Sequence, residues 1–150
     1  MSNNIFFEQM FTDIYPSELT LNRANSNDKV APFLDLHLRI IDGVIHTKIY
    51  DKRDDFNFDI TNYPHLDGDV PRATSYGIYI SQLIRFARAC SSVSDFNDRN
   101  HTITRKLSAQ GYRYYKLRDT FAKFFHRNSS LFEKYNTSLG SLIRLGISHP

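Results

Sequence analysis

The sequence has few of the residues that define several common classes of protein. It contains one cysteine and no tryptophan among its 150 residues. Because Cys90 has no second cysteine to pair with, an internal disulfide scaffold is excluded and a reducing compartment is favoured. No apolar run approaches the ~18 residues of a membrane span, and no signal-peptide pattern opens the chain. These absences predict an intracellular protein, nuclear or cytoplasmic, with no membrane partner.

Several catalytic and metal-binding patterns are also missing. There is no CxxC or HExxH spacing, so zinc is not expected. The glycines are scattered and form no phosphate-binding loop, and no GxSxG elbow is present. Acidic residues do cluster between positions 51 and 59, but Lys52 and Arg53 lie among them. We interpret this cluster as a solvated loop, and we predict no catalytic residue, metal site or cofactor in this chain.

Charge is divided unevenly along the chain. Residues 1–84 contain 7 Lys/Arg and 12 Asp/Glu, whereas residues 85–150 contain 12 Lys/Arg and 4 Asp/Glu. A basic half joined to an acidic half suggests that only the second half meets a polyanion such as nucleic acid. The alternative is a lysine- and arginine-rich surface that is simply solvated.

An antiparallel β-hairpin is the clearest local prediction. The Asp-Gly pair at positions 42–43 is a preferred sequence for a two-residue type I′ turn. The flanking stretches, residues 33–41 and 44–50, alternate between apolar and polar side chains, as a half-buried ribbon requires. This turn pairs Ile41 with Val44, and the same register continues outward, giving the hairpin one apolar face and one polar face.

The other segments complete the prediction of an α+β fold, with an N-terminal helix and a small antiparallel sheet followed by a C-terminal helical bundle. Before residue 75 we predict a helix at 5–14, a loop at 22–32 and a third strand at 56–60. The apolar spacing then becomes helical and predicts helices at 75–91, 94–111, 112–127 and 130–145. Ser94 would cap the second of these, Gly111 would end it, and Gly140 would interrupt or end the last. Two lobes follow, a β lobe at 1–71 and a helical lobe at 72–150.

The third predicted helix of this bundle carries a basic stripe beside an apolar one. One sector of its helical wheel holds Tyr114, Leu117, Phe121, Phe124 and Phe125. The neighbouring sector holds Arg113, Lys116, Lys123 and Arg127. We assign the apolar sector to the core and the basic sector to contacts with phosphates, which depend on charge and spacing. Ordinary surface charge is the alternative for the basic sector.

A series of short motifs follows a fixed order along the chain. It comprises an FLD strand at 33–40, a Tyr-basic segment at 47–53, Tyr-Pro-His at 63–65, Arg-x-x-Arg-x-Cys-Ser at 85–91, Asp-Phe at 95–96 and Gly-Tyr at 111–112. In this order and spacing the motifs resemble the reverse transcriptases of animal retroelements, most closely those of Penelope-like elements. The resemblance extends from about residue 5 to residue 127.

The resemblance implies a role in nucleic-acid binding without catalysis. Residues 33–61 resemble the last palm strands and the primer grip, and residues 75–127 resemble the helical thumb, also described as a helix-turn-helix region. The metal-binding Tyr-x-Asp-Asp turn would lie upstream, so Mg²⁺ is expected only in the complete polymerase. The implied partners are a template–primer duplex, either RNA–DNA hybrid or DNA, and the fingers and palm half of the polymerase. Alone, this chain is not expected to polymerise DNA.

A set of basic side chains is predicted to line one concave flank and grip the duplex backbone. The set is Lys48, Lys52, Arg53, Arg85, Arg88, Arg105, Lys106, Arg113, Lys116, Lys123 and Arg127. A thumb contacts mainly the backbone, which suits such residues. Two alternatives stay open: an independent helix-turn-helix module, with Arg113 or Lys116 reaching base edges, and an interaction domain that binds no nucleic acid.

Overall fold

The computed structural model describes residues 10, 14, 18–19, 27–58, 60 and 63–147. These residues form a three-stranded antiparallel sheet followed by a C-terminal helical part, which confirms the predicted α+β class. The helix predicted at 5–14 lies almost entirely outside the described residues. Within the described part, no helix is both long and apolar enough to cross a membrane.

The predicted hairpin is present with the predicted register. Its strands are β2 (Leu36–Ile41) and β3 (Val44–Ile49), and Ile41 pairs with Val44 at the turn. Asp42 has a φ of 49° and Gly43 a φ of 77°, as a type I′ turn requires of both central residues. The alternation of side chains along the two strands therefore follows the predicted pairing throughout.

The third strand lies on the other side of the hairpin from the predicted one. It is β1 (Val30–Phe33), which pairs antiparallel with β2 and corrects both the predicted loop at 22–32 and the predicted strand at 56–60. The loop was predicted because residues 22–32 are polar and rich in Asn and Asp; the last of them, Pro32, is tolerated because β1 is an edge strand. After β3, Asp51 caps a 3₁₀ turn at Lys52–Asp55. The chain then bends, and the side chains of Phe56 and Phe58 are exposed to solvent.

Four α-helices follow in the described residues: α1 (Arg72–Ala89), α2 (Val93–Ala109), α3 (Tyr114–Arg127) and α4 (Leu139–Gly146). The cap of α2 is Ser92 and not the predicted Ser94, because the Ser92 hydroxyl accepts from the Asp95 amide at 3.1 Å. Gly111 has a φ of 84° just beyond α2, which confirms its predicted role at the helix end.

The segment after α3 differs from the predicted helix at 130–145. It contains two 3₁₀ turns, Ser129–Leu131 and Glu133–Tyr135, and α4 begins only at Leu139. Asn136 adopts a left-handed conformation with a φ of 46°, which ends the second turn. Ser138 then caps α4, so Gly140 lies inside this helix and does not interrupt it.

All four helices contribute to one hydrophobic core, and the sheet joins that core only at its base. The largest fully buried side chains include Tyr79, Phe96, Phe121, Leu117 and Leu142. Ile49, at the end of β3, is 2% exposed, whereas Ile40 and Ile45 near the turn are 43% and 63% exposed. The predicted burial of the apolar hairpin face is therefore limited to the base of the hairpin.

Hydrogen bonds between β3 and the junction of α1 and α2 hold the base of the hairpin in place. The Thr47 hydroxyl donates to the Ala89 carbonyl at 2.6 Å, and the Thr47 amide donates to the Ser91 hydroxyl at 2.9 Å. The Ser91 amide donates in turn to the Thr47 carbonyl at 2.8 Å. These bonds bring the outer edge of β3 alongside the start of α2.

Candidate nucleic-acid interface

A basic groove lies between the first turns of α1 and the outer side of α3. We call it the α1–α3 groove, and its volume is about 350 Å³. The residues that line it are Arg72, Ala73, Tyr76, Tyr115, Lys116, Asp119, Thr120 and Lys123. Lys116 and Lys123 are exposed, and each directly precedes a buried residue of the α3 apolar stripe, Leu117 or Phe124. Burial of that stripe therefore turns both ammonium groups outward.

Aromatic contacts set the position of α3 against α1. The rings of Tyr76 and Tyr112 meet edge to face, with centroids 5.3 Å apart. The Arg113 amide, just before α3, donates to the Tyr76 hydroxyl at 3.3 Å. Burial is the main cause that raises the pKa of Tyr76, so this hydroxyl stays protonated near neutral pH. The groove is therefore anchored at the N-terminal end of α3.

The exposed rim of the groove is cationic. The Arg113 guanidinium donates to the Tyr115 hydroxyl at 3.3 Å, and this hydrogen bond is the main cause that lowers the pKa of Tyr115. In the part of the chain that the structure describes, Lys116, Lys123 and Arg127 form no ion pair with a carboxylate; Asp119 is the one acidic residue that lines the groove. These cations are available to phosphate groups of a ligand.

A second set of basic residues is held in an ionic cluster beside the base of the sheet. Asp51 accepts two hydrogen bonds from the Arg53 side chain, at 2.7 and 2.6 Å. Asp54 pairs with Arg99 and lies 3.8 Å from the Lys106 ammonium. Arg99 also donates to the Ile49 carbonyl at 2.9 Å. This cluster of Asp51, Arg53, Asp54, Arg99 and Lys106 joins the segment after β3 to α2.

We expect the ionic cluster to make the stability of the protein sensitive to acid. The hydrogen bonds from Arg53 are the main cause that lowers the pKa of Asp51 from 3.8 to about 2. A carboxylate with a lowered pKa stabilises the fold above its unfolded-state pKa, and that contribution is lost as the pH falls toward the folded-state value. We expect Asp51→Asn to lower the urea midpoint at pH 5 and to reduce the further drop between pH 4 and pH 2.

The control for this prediction is Asp69→Asn, which removes an exposed carboxylate between Leu66 and α1. Its midpoint should follow that of the unmodified protein throughout the pH series. If Asp51→Asn and the unmodified protein lose the same stability between pH 4 and pH 2, the contribution assigned to Asp51 is wrong.

The predicted contact residues are thus divided among several places. Lys116 and Lys123 share the α1–α3 groove, with Arg113 at the start of the same helix. Arg53 and Lys106 are in the ionic cluster, and Arg85 pairs with Asp35 at 2.9 Å. The others are exposed at separate positions: Lys48 on β3, Lys52 in the 3₁₀ turn, Arg88 on α1, Arg105 on α2 and Arg127 at the end of α3.

Sequence reasoning missed one cationic and two aromatic residues of the groove, Arg72, Tyr76 and Tyr115. Arg72 is the first residue of α1, and Tyr76 follows one turn later. Tyr115 interrupts the basic residues at the start of α3 and is 49% exposed. The available signal was the Tyr-Tyr-Lys sequence at 114–116, in which only Tyr114 fits the apolar stripe of the helix.

No model of a known protein family matches this chain, and no curated protein or solved structure matches it. The described residues also contain no group of three or more His, Cys, Asp or Glu side chains that could hold a metal ion. The groove, its charges and the motifs of the sequence are therefore the features of the protein that bear on its function.

Proposed function

We propose that this protein binds the backbone of a nucleic-acid duplex through the α1–α3 groove, as the non-catalytic C-terminal palm and thumb portion of a reverse transcriptase. The observation that carries the proposal is the pair Lys116 and Lys123, exposed on one side of α3 beside a groove and without carboxylate partners. The order of motifs described above supports the polymerase assignment.

The spacing of the two lysines suits a phosphate backbone. They are seven positions apart in an α-helix, a rise of about 10 Å, which corresponds to the axial rise of about three nucleotides in a duplex. Arg113 and Arg127 continue the basic side of α3 toward its two ends. Such a row can contact successive phosphates without reading base edges.

The position of the aromatic residues favours backbone contacts over base stacking. Phe121 and Phe124 are 0% and 2% exposed, so their rings are not available to stack on unpaired bases. Tyr115 is the exposed ring of the groove, and its hydroxyl is engaged by Arg113. A single-stranded binder would need several accessible rings, and a duplex is therefore the better ligand for this surface.

A specific observation favours a second candidate, an independent helix-turn-helix module. Residues 110–113, including Gly111 in a left-handed conformation, join α2 to α3, and helix-turn-helix motifs have turns of this length that often contain glycine. In that function α3 would enter the major groove, with Lys116 near base edges. The two candidates differ in sequence preference, which a panel of duplexes measures directly.

We expect Lys116→Glu with Lys123→Glu to weaken duplex binding without unfolding the protein. Loss of two phosphate contacts should reduce the slope of log affinity against log salt by about 2. The measurement is fluorescence anisotropy with labelled RNA–DNA hybrid and DNA duplexes over a salt series, with the melting temperature of each variant measured alongside.

The matched control is Arg118→Glu with Arg144→Glu, which makes the same change in charge at exposed residues outside the groove. The proposed function predicts a small effect for the control, little sequence preference and tighter binding of the hybrid. A large preference for one DNA sequence would favour the helix-turn-helix candidate. Unchanged affinity in the Lys116 and Lys123 variant, or no saturable binding near physiological salt, would contradict duplex binding by the groove.

A further inference from the structure

The polar face of the hairpin concentrates basic side chains in two directly opposed pairs. Arg39 on β2 lies opposite His46 on β3, and His37 lies opposite Lys48. Their neighbours on β1 in the same register are Val30 and Pro32, which carry no charge. Like charges placed directly opposite each other in an antiparallel pair are destabilising, so this arrangement opposes folding of the hairpin when the histidines are protonated.

One carboxylate, that of Asp95, faces these four side chains from the start of α2. A cavity of about 180 Å³ lies between them and is lined by His37, Arg39, Ile41, His46, Thr47, Lys48, Ser92 and Asp95. Asp95 already accepts a hydrogen bond from the Ser92 hydroxyl at 2.6 Å. Within the described residues, neither Arg39 nor Lys48 forms an ion pair. The positive charge of the cavity is therefore largely uncompensated.

We propose that this cavity, the hairpin pocket, binds a phosphate group. Arg39 and Lys48 supply permanent positive charge, and the imidazoles of His37 and His46 supply further hydrogen-bond donors when protonated. The group can belong to a free phosphate anion or to a nucleic-acid strand, since the chemistry recognised is the same. The site is independent of the α1–α3 groove, because the two share no residue.

Binding at the hairpin pocket is coupled to the protonation of His37. Burial, followed by Lys48 and Arg39, lowers the pKa of His37, while Asp95 acts in the opposite direction. A bound anion favours the charged imidazole and raises this pKa, so the protein takes up a proton and anion affinity rises as the pH falls. A pKa increase of one unit corresponds to about a tenfold gain in affinity at acid pH.

The first experiment follows the imidazole signals of His37 and His46 by NMR during titration with pyrophosphate at pH 7. Sulfate serves for a pH series, because its charge is constant between pH 5 and pH 8. We expect both signals to shift with pyrophosphate, the pKa of His37 to rise in saturating sulfate, and sulfate to bind more tightly at pH 6 than at pH 8. Absence of imidazole shifts with pyrophosphate overturns the proposal.

The second experiment uses Arg39→Gln with Lys48→Gln, which keeps polar side chains of similar length. Pyrophosphate binding should weaken by at least about tenfold, because two charge-assisted contacts are lost. The melting temperature should stay the same, or rise at a pH where the histidines are protonated, since two repulsive pairs are then removed. Arg118→Gln with Arg144→Gln is the control for the change in net charge and should bind pyrophosphate normally.

Two short thymidine oligonucleotides, with and without a 5′-phosphate, distinguish the sources of the phosphate group. Tighter binding of the phosphorylated strand assigns the pocket to a terminal phosphate, and equal binding of both strands assigns it to a backbone phosphate. If pyrophosphate alone binds, the ligand is a free anion. Wild-type affinity for pyrophosphate in the Arg39 and Lys48 variant would refute the site, whatever the result at the α1–α3 groove.

Discussion

Phe132→Ala is expected to lower the free energy of unfolding by about 3–5 kcal/mol, as truncation of a buried phenylalanine usually does. Phe132 is 3% exposed and lies between the two 3₁₀ turns that follow α3. Its ring lies within centroid distances of 4.9 to 6.2 Å of five others, those of Phe96, Phe121, Phe124, Phe125 and Tyr135. Truncation would leave a cavity shared by α2, α3 and the segment before α4, and urea unfolding measures its cost.

The control for Phe132 is Phe58→Ala, which removes the same ring from a residue that is 61% exposed. Its effect should stay below about 1.5 kcal/mol, because the ring contact that it loses, with Phe56 at a centroid distance of 5.3 Å, is itself on the surface. Similar losses for the two variants would show that Phe132 does not occupy the centre of the aromatic cluster.

Gly146→Ala should destabilise the protein by about 1–3 kcal/mol, the usual cost of overpacking a core. A Cβ at this position would lie 2.6 Å from the Asn100 side-chain nitrogen and 3.2 Å from the Asn97 side-chain oxygen. Asn100 cannot move freely, because it is fully buried and its side-chain oxygen accepts a hydrogen bond from the Tyr79 hydroxyl at 2.7 Å. The added methyl group must therefore displace α4 or break this hydrogen bond.

Gly140→Ala makes the same chemical change in the same helix and should have the opposite effect. A Cβ at Gly140 would meet nothing within 4 Å, so the variant gains about 0.5–1 kcal/mol from the lower backbone entropy of alanine in the unfolded chain. Thermal unfolding gives the melting temperature of each variant relative to the unmodified protein. A shift of the two melting temperatures in the same direction would contradict the close packing of α4 against α2.

The parts of the fold that local chemistry determines were predictable. The Asp-Gly turn requires two residues with positive φ, and once that turn is placed the register of β2 and β3 follows. The edge strand β1 was not predictable in the same way, because it contains Pro32 and is held by pairing with β2. The alternating aromatic residues at 56–60 suggested a strand, but no neighbouring strand pairs with the described residues of that segment.

The segment between α3 and α4 illustrates a second limit of sequence reasoning. The apolar residues between positions 129 and 138 are spaced partly as in an α-helix. The segment nevertheless forms two short 3₁₀ turns that place Phe132 and Tyr135 in the core. Tertiary packing of these two aromatic residues determines the conformation of the segment. Local propensity cannot reveal that preference, because the partner rings lie on α2 and α3.

How far the environment of each cation can be predicted depends on where its partners lie in the sequence. The basic side of α3 is visible on a helical wheel, because its residues share one helix. Arg85 pairs with Asp35, fifty positions away, and Lys106 lies near Asp54. Those pairings depend on the tertiary fold, so the sequence cannot separate cations with structural partners from cations free to bind a ligand.

The C-terminal end of α1 is completed by side chains from distant parts of the chain. Thr47 on the hairpin donates to the Ala89 carbonyl, while Lys134 and Tyr135 donate to the Cys90 carbonyl at 2.7 and 2.8 Å. Trimming the protein to α1, α2 and α3 would remove all three donors from these two carbonyls. The hairpin and the C-terminal turns are therefore shared supports of one helix end.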